Sequence, residues 1–352
     1  MAVARSRTVQ GASSTSPRAT LDDVARAAGV SRATASRALT GAGPTAGDTR
    51  ERVRAAAKQL GFAPNQAART LAGRRTEAIA LVIPEPDALV LADPFLTGMI
   101  TGVSEAFHTT PYQLILVIVR PDEPAAKHVR VLRPDYVDGA IIVSHHRSGR
   151  INRLLMDNAV PTVYVGRPWA DATSSILYVD VDNRTGGRLA TQRLLDTGAT
   201  RVACIAGPGD MTPVMDRTAG WHDALDTARC AAGPLEHGPF TLQGGVEAMR
   251  AILARDASVD GVFAQSDLMA VGAMQALGEA GRSVPGDVKV VGVDDAVVAR
   301  SATPPLTTIT NPASELAVRA CRMLMRVLTE GADPYTLEPE ILMPTLVVRE
   351  SA

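Results

Sequence analysis

The chain has little that belongs to an enzyme or to an exported protein. Its 352 residues include three cysteines, Cys204, Cys230 and Cys321. They are too widely separated to form a metal site or a redox pair, and they fit buried thiols in a reducing compartment. There is no run of about 18 apolar residues to span a membrane and no apolar N-terminal core for an export signal, so a cytoplasmic protein is expected. G-x-S-x-G, the P-loop and a complete G-x-G-x-x-G are all missing; GPG at 207–209 follows a strand-like run but lacks the third glycine. His145 and His146 are adjacent, so on a strand they point apart, make a poor metal pair and are expected in a surface turn. No catalytic residue, cofactor or metal is expected. A solute-binding protein would require the absent export signal.

The distribution of charge is the first positive signal. The whole chain carries −1, but residues 1–76 hold 13 Lys and Arg against four acids, a net +9, which leaves −10 for residues 77–352. A basic head on an acidic body points to a nucleic-acid partner for the head.

That head is organised by Thr20 to Gly73. Thr20 and Asp23 have capping-box spacing. Leu21, Val24, Ala25 and Ala28 share one helical face, and Gly29 allows the left-handed residue that ends the helix. Ser31 is placed to cap a second helix, Arg32 to about Thr40. Two helices joined by a short glycine-containing turn are the helix-turn-helix signature. Ala35, Ala38 and Leu39 face inward, while Arg32, Ala33, Ser36 and Arg37, with Thr34 near the start, face outward. Short polar residues among arginines suit a major groove. Thr45 and Asp48 are expected to cap a third helix running through Val53, Ala56, Ala57 and Leu60 to Gly61. Residues 1–19, rich in Ser, Thr, Ala and Arg, read as a disordered basic tail.

TLDDVARAAGVSRATASRAL and TRERVRAAAKQLGFAPNQAARTLA closely resemble the DNA-binding headpiece of the lactose-repressor (LacI/GalR-type) family of bacterial transcription regulators. The match runs nearly without gaps from residue 20 to 75 and continues in patches to the last residue. Ala35 replaces the family's usual Val, and Thr45 and Ala46 replace a hydrophobic residue and a Ser. The resemblance implies a repressor acting as a homodimer on a pseudo-palindromic double-stranded operator. It implies DNA contacts from Thr20, Ser31, Arg32, Ala33, Thr34, Ser36 and Arg37, with Arg32, Ala33 and Arg37 reading bases and Ser31 and Ser36 holding phosphates. It also implies a hinge helix in residues 64–76 that folds on DNA through Asn65, Ala68, Arg69, Leu71 and Ala72, with Leu71 as a minor-groove wedge. By composition alone that segment is a linker, and about eight residues are marginal as a free helix. Such a segment is suited to be the switch.

The expected organisation is therefore a basic tail (1–19), an all-α helix-turn-helix headpiece (20–63), a hinge (64–76) and an effector and dimerisation domain (77–352). In the last, apolar β-branched runs at Ile79–Ile83, Leu114–Val119, Ala140–Val143, Thr162–Val165, Val202–Ile205, Gly261–Ala264 and Val288–Val293 alternate with amphipathic stretches. That alternation reads as parallel sheets with crossover helices. The resemblance implies an α/β domain of the periplasmic-binding-protein type: lobe one about 77–178 and 310–340, lobe two about 179–309 and 341–352.

Ligands of such sheets sit at the strands' carboxyl ends. By the resemblance, DRTAGW (216–221) brings Arg217 to a strand end as an effector clamp. FAQSDL brings Ser266 and Asp267, VVGVDD brings Asp294 beside Asp295, and TPPLTTITN brings Asn311. Phe95, in Asp93-Pro94-Phe95, offers an apolar wall. Asp267, Asp294 and Asp295 are also placed where a helix N-cap is the alternative reading, most strongly for Asp295. Gly166 and Arg167 stand where some relatives have an acid, so Arg167 is a candidate selector of a different or anionic ligand. This set suits a carbohydrate or a nucleobase; control by a protein co-regulator is the alternative. No coiled-coil tail is evident.

Overall fold

The computed structural model describes residues 19–40, 44–62, 75–120, 123, 130–147, 159–169 and 176–352. The basic tail up to residue 18 and the hinge positions Asn65, Ala68, Arg69, Leu71 and Ala72 lie outside the described residues. The chain divides by internal contacts into residues 1–75 and 76–352, and each unit is described by itself.

In the N-terminal unit α1 (Leu21–Ala27), α2 (Arg32–Thr40) and α3 (Gly47–Gln59) follow one another. The capping box forms: the Asp23 N–H donates to Thr20 Oγ1 at 3.3 Å and the Thr20 N–H donates to Asp23 Oδ2 at 2.9 Å. Gly29 takes φ 66° and turns the chain. Ser31 then starts α2 by accepting the Thr34 N–H at 3.1 Å. The core consists of Val24, Ala25, Ala28, Ala35, Ala38, Val53, Ala56 and Ala57. Alanine dominates it, so the helices approach closely and little apolar surface per residue is buried. The start of α3 departs from expectation. Ala46 takes the N-cap position with no side-chain bond, and the Thr45 hydroxyl, one residue too early to reach the first turn, is buried without a partner.

The C-terminal unit has two six-stranded sheets. Sheet one contains β1 (Ala78–Ile83), β2 (Gln113–Ile118), β3 (Gly139–Val143), β4 (Thr162–Val165), β5 (Leu177–Val181) and β11 (Glu340–Leu342), in the order β11-β5-β4-β3-β1-β2. Sheet two contains β6 (Val202–Ala206), β7 (Leu235–His237), β8 (Gly261–Ala264), β9 (Lys289–Asp294), β10 (Thr307–Thr310) and β12 (Leu346–Val347), in the order β12-β10-β9-β8-β6-β7. All pairings are parallel except β10 with β12. Helices cover both faces, which is why strands such as Ala78–Ile83 are apolar and buried throughout. The covering helices are α4 (Asp87–Ala92), α5 (Pro94–Phe107), α6 (Asn183–Asp196), α7 (Thr212–Ala228), α8 (Leu242–Arg255), α9 (Asp267–Glu279), α10 (Val297–Ser301) and α11 (Ala313–Glu330).

β5 reaches Val181 and β11 reaches Leu342 within sheet one, so the chain crosses between lobes after 181, after 310 and after 342 rather than after 178, 309 and 340. Asp180 interrupts the apolar run of β5, and the boundary that the resemblance implies falls inside this strand. In each sheet the order reverses beside the first strand, between β1 and β3 and between β6 and β8. Such switch points open crevices at the strands' carboxyl ends.

Candidate functional site

On the N-terminal unit Arg32, Ala33 and Arg37 are exposed, whereas Ala35 and Ala38 are buried. The outward face of α2 is therefore the expected one. Ser31 and Thr34 hydroxyls lie 2.9 Å apart, and Arg37 Nη2 donates to Thr34 Oγ1 at 3.4 Å. Arg32 Nε stands 3.6 Å from Asp22 Oδ1. The Thr20 hydroxyl donates to Asp23 at 2.6 Å.

The cleft of the C-terminal unit holds a cavity of about 80 Å³, smaller than the roughly 300–1,000 Å³ of drug-sized ligand sites. Lobe one contributes Asp93, Phe95, Ser144, His145, Gly166 and Asp180; lobe two contributes Asn183, Arg217, Phe240, Gln265, Ser266 and Asp294, with Asn311 at a crossover. Arg217 is its central cation. It does not lie at a strand end, as expected, but in the second turn of α7. It reaches the cleft because α6 and α7 pack backbone to backbone. A Cβ at Gly187 would lie 2.1 Å from the Arg217 carbonyl oxygen, and one at Gly220 would lie 2.0 Å from that of Arg184. Arg217 Nε donates to Asn183 Oδ1 at 2.9 Å and Nη1 donates to the Gln265 carbonyl at 2.8 Å. Burial pulls its pKa down, and the charges of Asp294, Asp180 and Asp93 oppose that shift.

Those carboxylates are themselves perturbed. Burial raises Asp93 and Asp180 to about 6 each, against backbone N–H donors that favour their charged forms. Asp294 rises well above the usual range, first through burial and then through the charge of Asp267, with Arg217 pulling the other way. Asn311 Nδ2 donates to Asp294 Oδ1 at 2.9 Å. Asp294 and Asp295 have φ of 122° and 54°, a left-handed pair in non-glycine residues of the kind that collects at ligand sites. Asp93 caps α5 and Ser266 caps α9, so both serve the fold and the cleft together.

Several expectations are corrected. Asp267 is fully buried but does not line the cavity: it accepts the Thr308 hydroxyl at 2.6 Å and the Ala296 N–H at 2.8 Å, tying α9 to the β9–α10 turn. Asp295 caps nothing; it pairs with Arg349 and Arg300. Arg167 does not line the cavity either, and its Nη2 bonds both oxygens of Asp216 at 3.0 and 2.9 Å. The two histidines are not in a surface turn. His145 is buried on the cleft wall, and His146 bridges the lobes. His145 Nε2 lies 3.1 Å from the Gly166 carbonyl, which only accepts, so Nε2 carries the proton. Nδ1 is then a buried acceptor without a partner. Burial lowers this imidazole to about 4, so it is neutral.

Asp180, Asn183, His145 and Gln265 were missed from sequence. A polar residue inside or just after an apolar run, as in LYVDVDN and VFAQS, was the available signal.

A basic helix-turn-helix head carried with a two-lobed α/β domain, whose cleft gathers an arginine, carboxyl groups and amides at the strands' carboxyl ends, defines a ligand-responsive DNA-binding regulator. Comparison with known proteins agrees at both ends of the chain. The profile described as "Bacterial regulatory proteins, lacI family" matches residues 20–65, and that described as "Periplasmic binding protein-like domain" matches residues 191–352. The chain is 41% identical to the HTH-type transcriptional regulator CelR of Thermobifida fusca, over 95% of this chain and 98% of that one. It is 34% identical to the ribose operon repressor of Escherichia coli (strain K12), over 94% and 98%. Among solved structures, a CelR–cellobiose complex superposes with a TM-score of 0.76 at 39% identity, covering 95% of this chain and all of that one. A lac repressor dimer bound to operator and the anti-inducer ONPF superposes with a TM-score of 0.79 at 26% identity, covering 95% and 98%. The chain belongs to the LacI family of bacterial transcriptional regulators. It is a DNA-binding regulator with a small-molecule effector, not an enzyme.

Proposed function

We propose that the chain is a repressor that binds a pseudo-palindromic operator as a homodimer, and that its effector is a neutral sugar held in the cleft. The reading rests on the charge balance of the cleft, where one guanidinium stands among the carboxyl groups of Asp93, Asp180 and Asp294. An anionic ligand would meet those carboxylates, and Arg167 is already held by Asp216. A polyol suits the set instead: its hydroxyls donate to carboxylates and to His145 Nδ1, and accept from Arg217 and Asn311, while both amide protons of Asn183 and of Gln265 are engaged within the protein. Phe95 and Phe240 supply apolar walls for ring faces. Effector contact is therefore ascribed to Phe95, Arg217, Ser266, Asp294 and Asn311, joined by Asp93, His145, Asp180, Asn183 and Gln265. Cellobiose, the ligand solved with CelR, is the first to try. DNA contact is ascribed to Thr20, Ser31, Arg32, Ala33, Thr34, Ser36 and Arg37, and to the hinge through Asn65, Ala68, Arg69, Leu71 and Ala72. We infer a cytoplasmic, nucleoid-bound protein; no helix among the described residues is long and apolar enough to cross a membrane.

The test is an operator selection from random DNA at fixed salt, repeated with cellobiose, ribose, nucleobases and a sugar phosphate. Salt is held because phosphate contacts make affinity steeply salt-dependent. A palindromic motif whose enrichment responds to a neutral sugar supports the reading. A response confined to the sugar phosphate or a nucleobase overturns the ligand class. A motif indifferent to every ligand favours a protein co-regulator.

A further inference from the structure

At the mouth of the cleft the lobes are joined by polar contacts that need no ligand. The Arg147 N–H, after β3, donates to the Asp210 carbonyl at 2.9 Å. Trp169 Nε1, after β4, donates to the same carbonyl at 2.8 Å. Arg167 pairs with Asp216, and the Thr212 hydroxyl donates to the Arg167 carbonyl. At the centre stands His146. Its Nδ1 lies 2.8 Å from Asp210 Oδ1 on lobe two, and its Nε2 lies 3.1 Å from Glu85 Oε1 on lobe one. Glu85 is buried and also accepts the Ser144 hydroxyl at 2.6 Å. A carboxylate only accepts, so both ring contacts are hydrogen bonds only when both ring nitrogens carry protons. A neutral imidazole can serve one lobe but not both.

We propose that Glu85, His146 and Asp210 form a proton-dependent clasp between the lobes, made by the imidazolium and released on its deprotonation, so that the effector leaves the cleft faster as pH rises.

The surroundings favour the charged ring. Glu85 faces it from the loop after β1 and Asp210 from the loop after β6; together they raise His146 to about 9, the hydrogen bond to Glu85 contributing most and burial opposing. The neighbouring cations are diverted. The Arg147 guanidinium sits 5.0 Å from the centroid of the Trp169 ring, Arg167 is held by Asp216, and His145 is neutral. When the lobes part, Asp210 departs with lobe two and the ring keeps only Glu85, so its hold on the proton weakens. Closing then takes up a proton over the window between the open-state and closed-state values, and each pKa unit gained on closing is about tenfold in the ratio of closed to open forms.

The chain carries its own reporter. It has two tryptophans: Trp169 in the clasp and Trp221, buried in lobe two. Tryptophan emission of the full-length, ligand-free protein is followed from pH 6.5 to 9.7 for wild type, His146→Gln and Asp210→Asn, with circular dichroism at pH 7 to establish that each variant is folded. Wild type is expected to shift to the red as pH approaches 9, when Trp169 loses its carbonyl partner and meets water, whereas both variants stay flat. In parallel, NMR of histidine-labelled protein, with the His146 signal assigned by its loss in His146→Gln, should give a midpoint near 9. An ordinary midpoint near 6.5, or an emission transition that survives in His146→Gln, overturns the clasp. With cellobiose as the probe, wild type should release ligand about tenfold faster at pH 9.5 than at pH 7, and His146→Gln should show no such change. The emission and NMR measurements need no ligand and decide the clasp by themselves, so failure of cellobiose to bind counts against the sugar reading alone.

Discussion

Gly187→Ala tests whether close packing of two helices positions the central cation of the cleft. The added Cβ would lie 2.1 Å from the Arg217 carbonyl oxygen and 2.9 Å from its carbon. Carbon–oxygen contacts settle at about 3.3–3.6 Å, so α7 must retreat by about 1 Å at the residue that carries the guanidinium. Backbone offers no rotamer escape, and overpacking of this kind costs about 1–3 kcal/mol. At about 2–4 °C per kcal/mol for a unit of this size, the melting midpoint should fall by about 2–12 °C. The Arg217 bonds to Asn183 and to the Gln265 carbonyl, 2.9 and 2.8 Å long, cannot both survive such a shift. Effector affinity should then weaken by about 1.5–3 kcal/mol, the range of a hydrogen bond to a charged group. Calorimetry reads both quantities, by scanning and by titration with cellobiose as the probe. Operator affinity of the ligand-free protein is the control, because the helix-turn-helix lies in the other contact unit, and it should change less than twofold. An unchanged melting midpoint together with unchanged effector affinity refutes the reasoning.

Further outcomes are expected elsewhere. Arg37→Ala should cost about 1–3 kcal/mol on the operator and relax preference at one base pair per half-site; selection with the variant checks this, and unaltered preference removes Arg37 from base readout. Leu71→Ala should weaken operator binding in a gel-shift titration and leave effector titration unchanged; equal loss of both means misfolding. Asp267→Ala, which strips the partner from Thr308 and from the Ala296 N–H, should destabilise the protein by about 1–3 kcal/mol in urea unfolding with effector affinity nearly intact, and a selective loss of affinity would restore Asp267 to the effector site. For His146, raised from 6.5 to about 9 in the folded protein, the linked stability is complete below 6.5 and is lost as pH rises through 9. Urea unfolding should therefore show stability falling by up to about 3 kcal/mol between pH 6.5 and 9.5. The slope should vanish in His146→Gln; a rise with pH would contradict the assignment.

The parts of this protein that local physics controls were legible in the sequence. The Thr20–Asp23 capping box, the Gly29 turn and the buried-exposed alternation of α2 depend on residues within one or two turns, and capping and periodicity act over that range. The main strands were legible for a similar reason: a strand covered on both faces must be apolar at every position. Where a strand carries a buried acid, as Asp180 does in β5, the same rule does not reveal it, and β5 is absent from the apolar runs read off the sequence. The resemblance brought Arg217, Asp294 and Asn311 to attention, but it could not say which element carries each or which neighbour occupies it. Asp267 and Arg167 share the composition of true cleft residues, and only the approach of Thr308 and Asp216 from distant parts of the chain turns them away.

His146 makes the division plainest. In sequence it is half of an adjacent histidine pair. Its role depends on Glu85, 61 residues away, and Asp210, 64 residues away, meeting on opposite sides of one ring. Capping, periodicity and composition, set by the sequence alone, determined the helix-turn-helix, the α/β class and the basic head. The occupancy, protonation and accessibility of each polar group in the cleft were decided by tertiary structure, because electrostatic energies depend on distance and burial across the fold and not on separation along the chain.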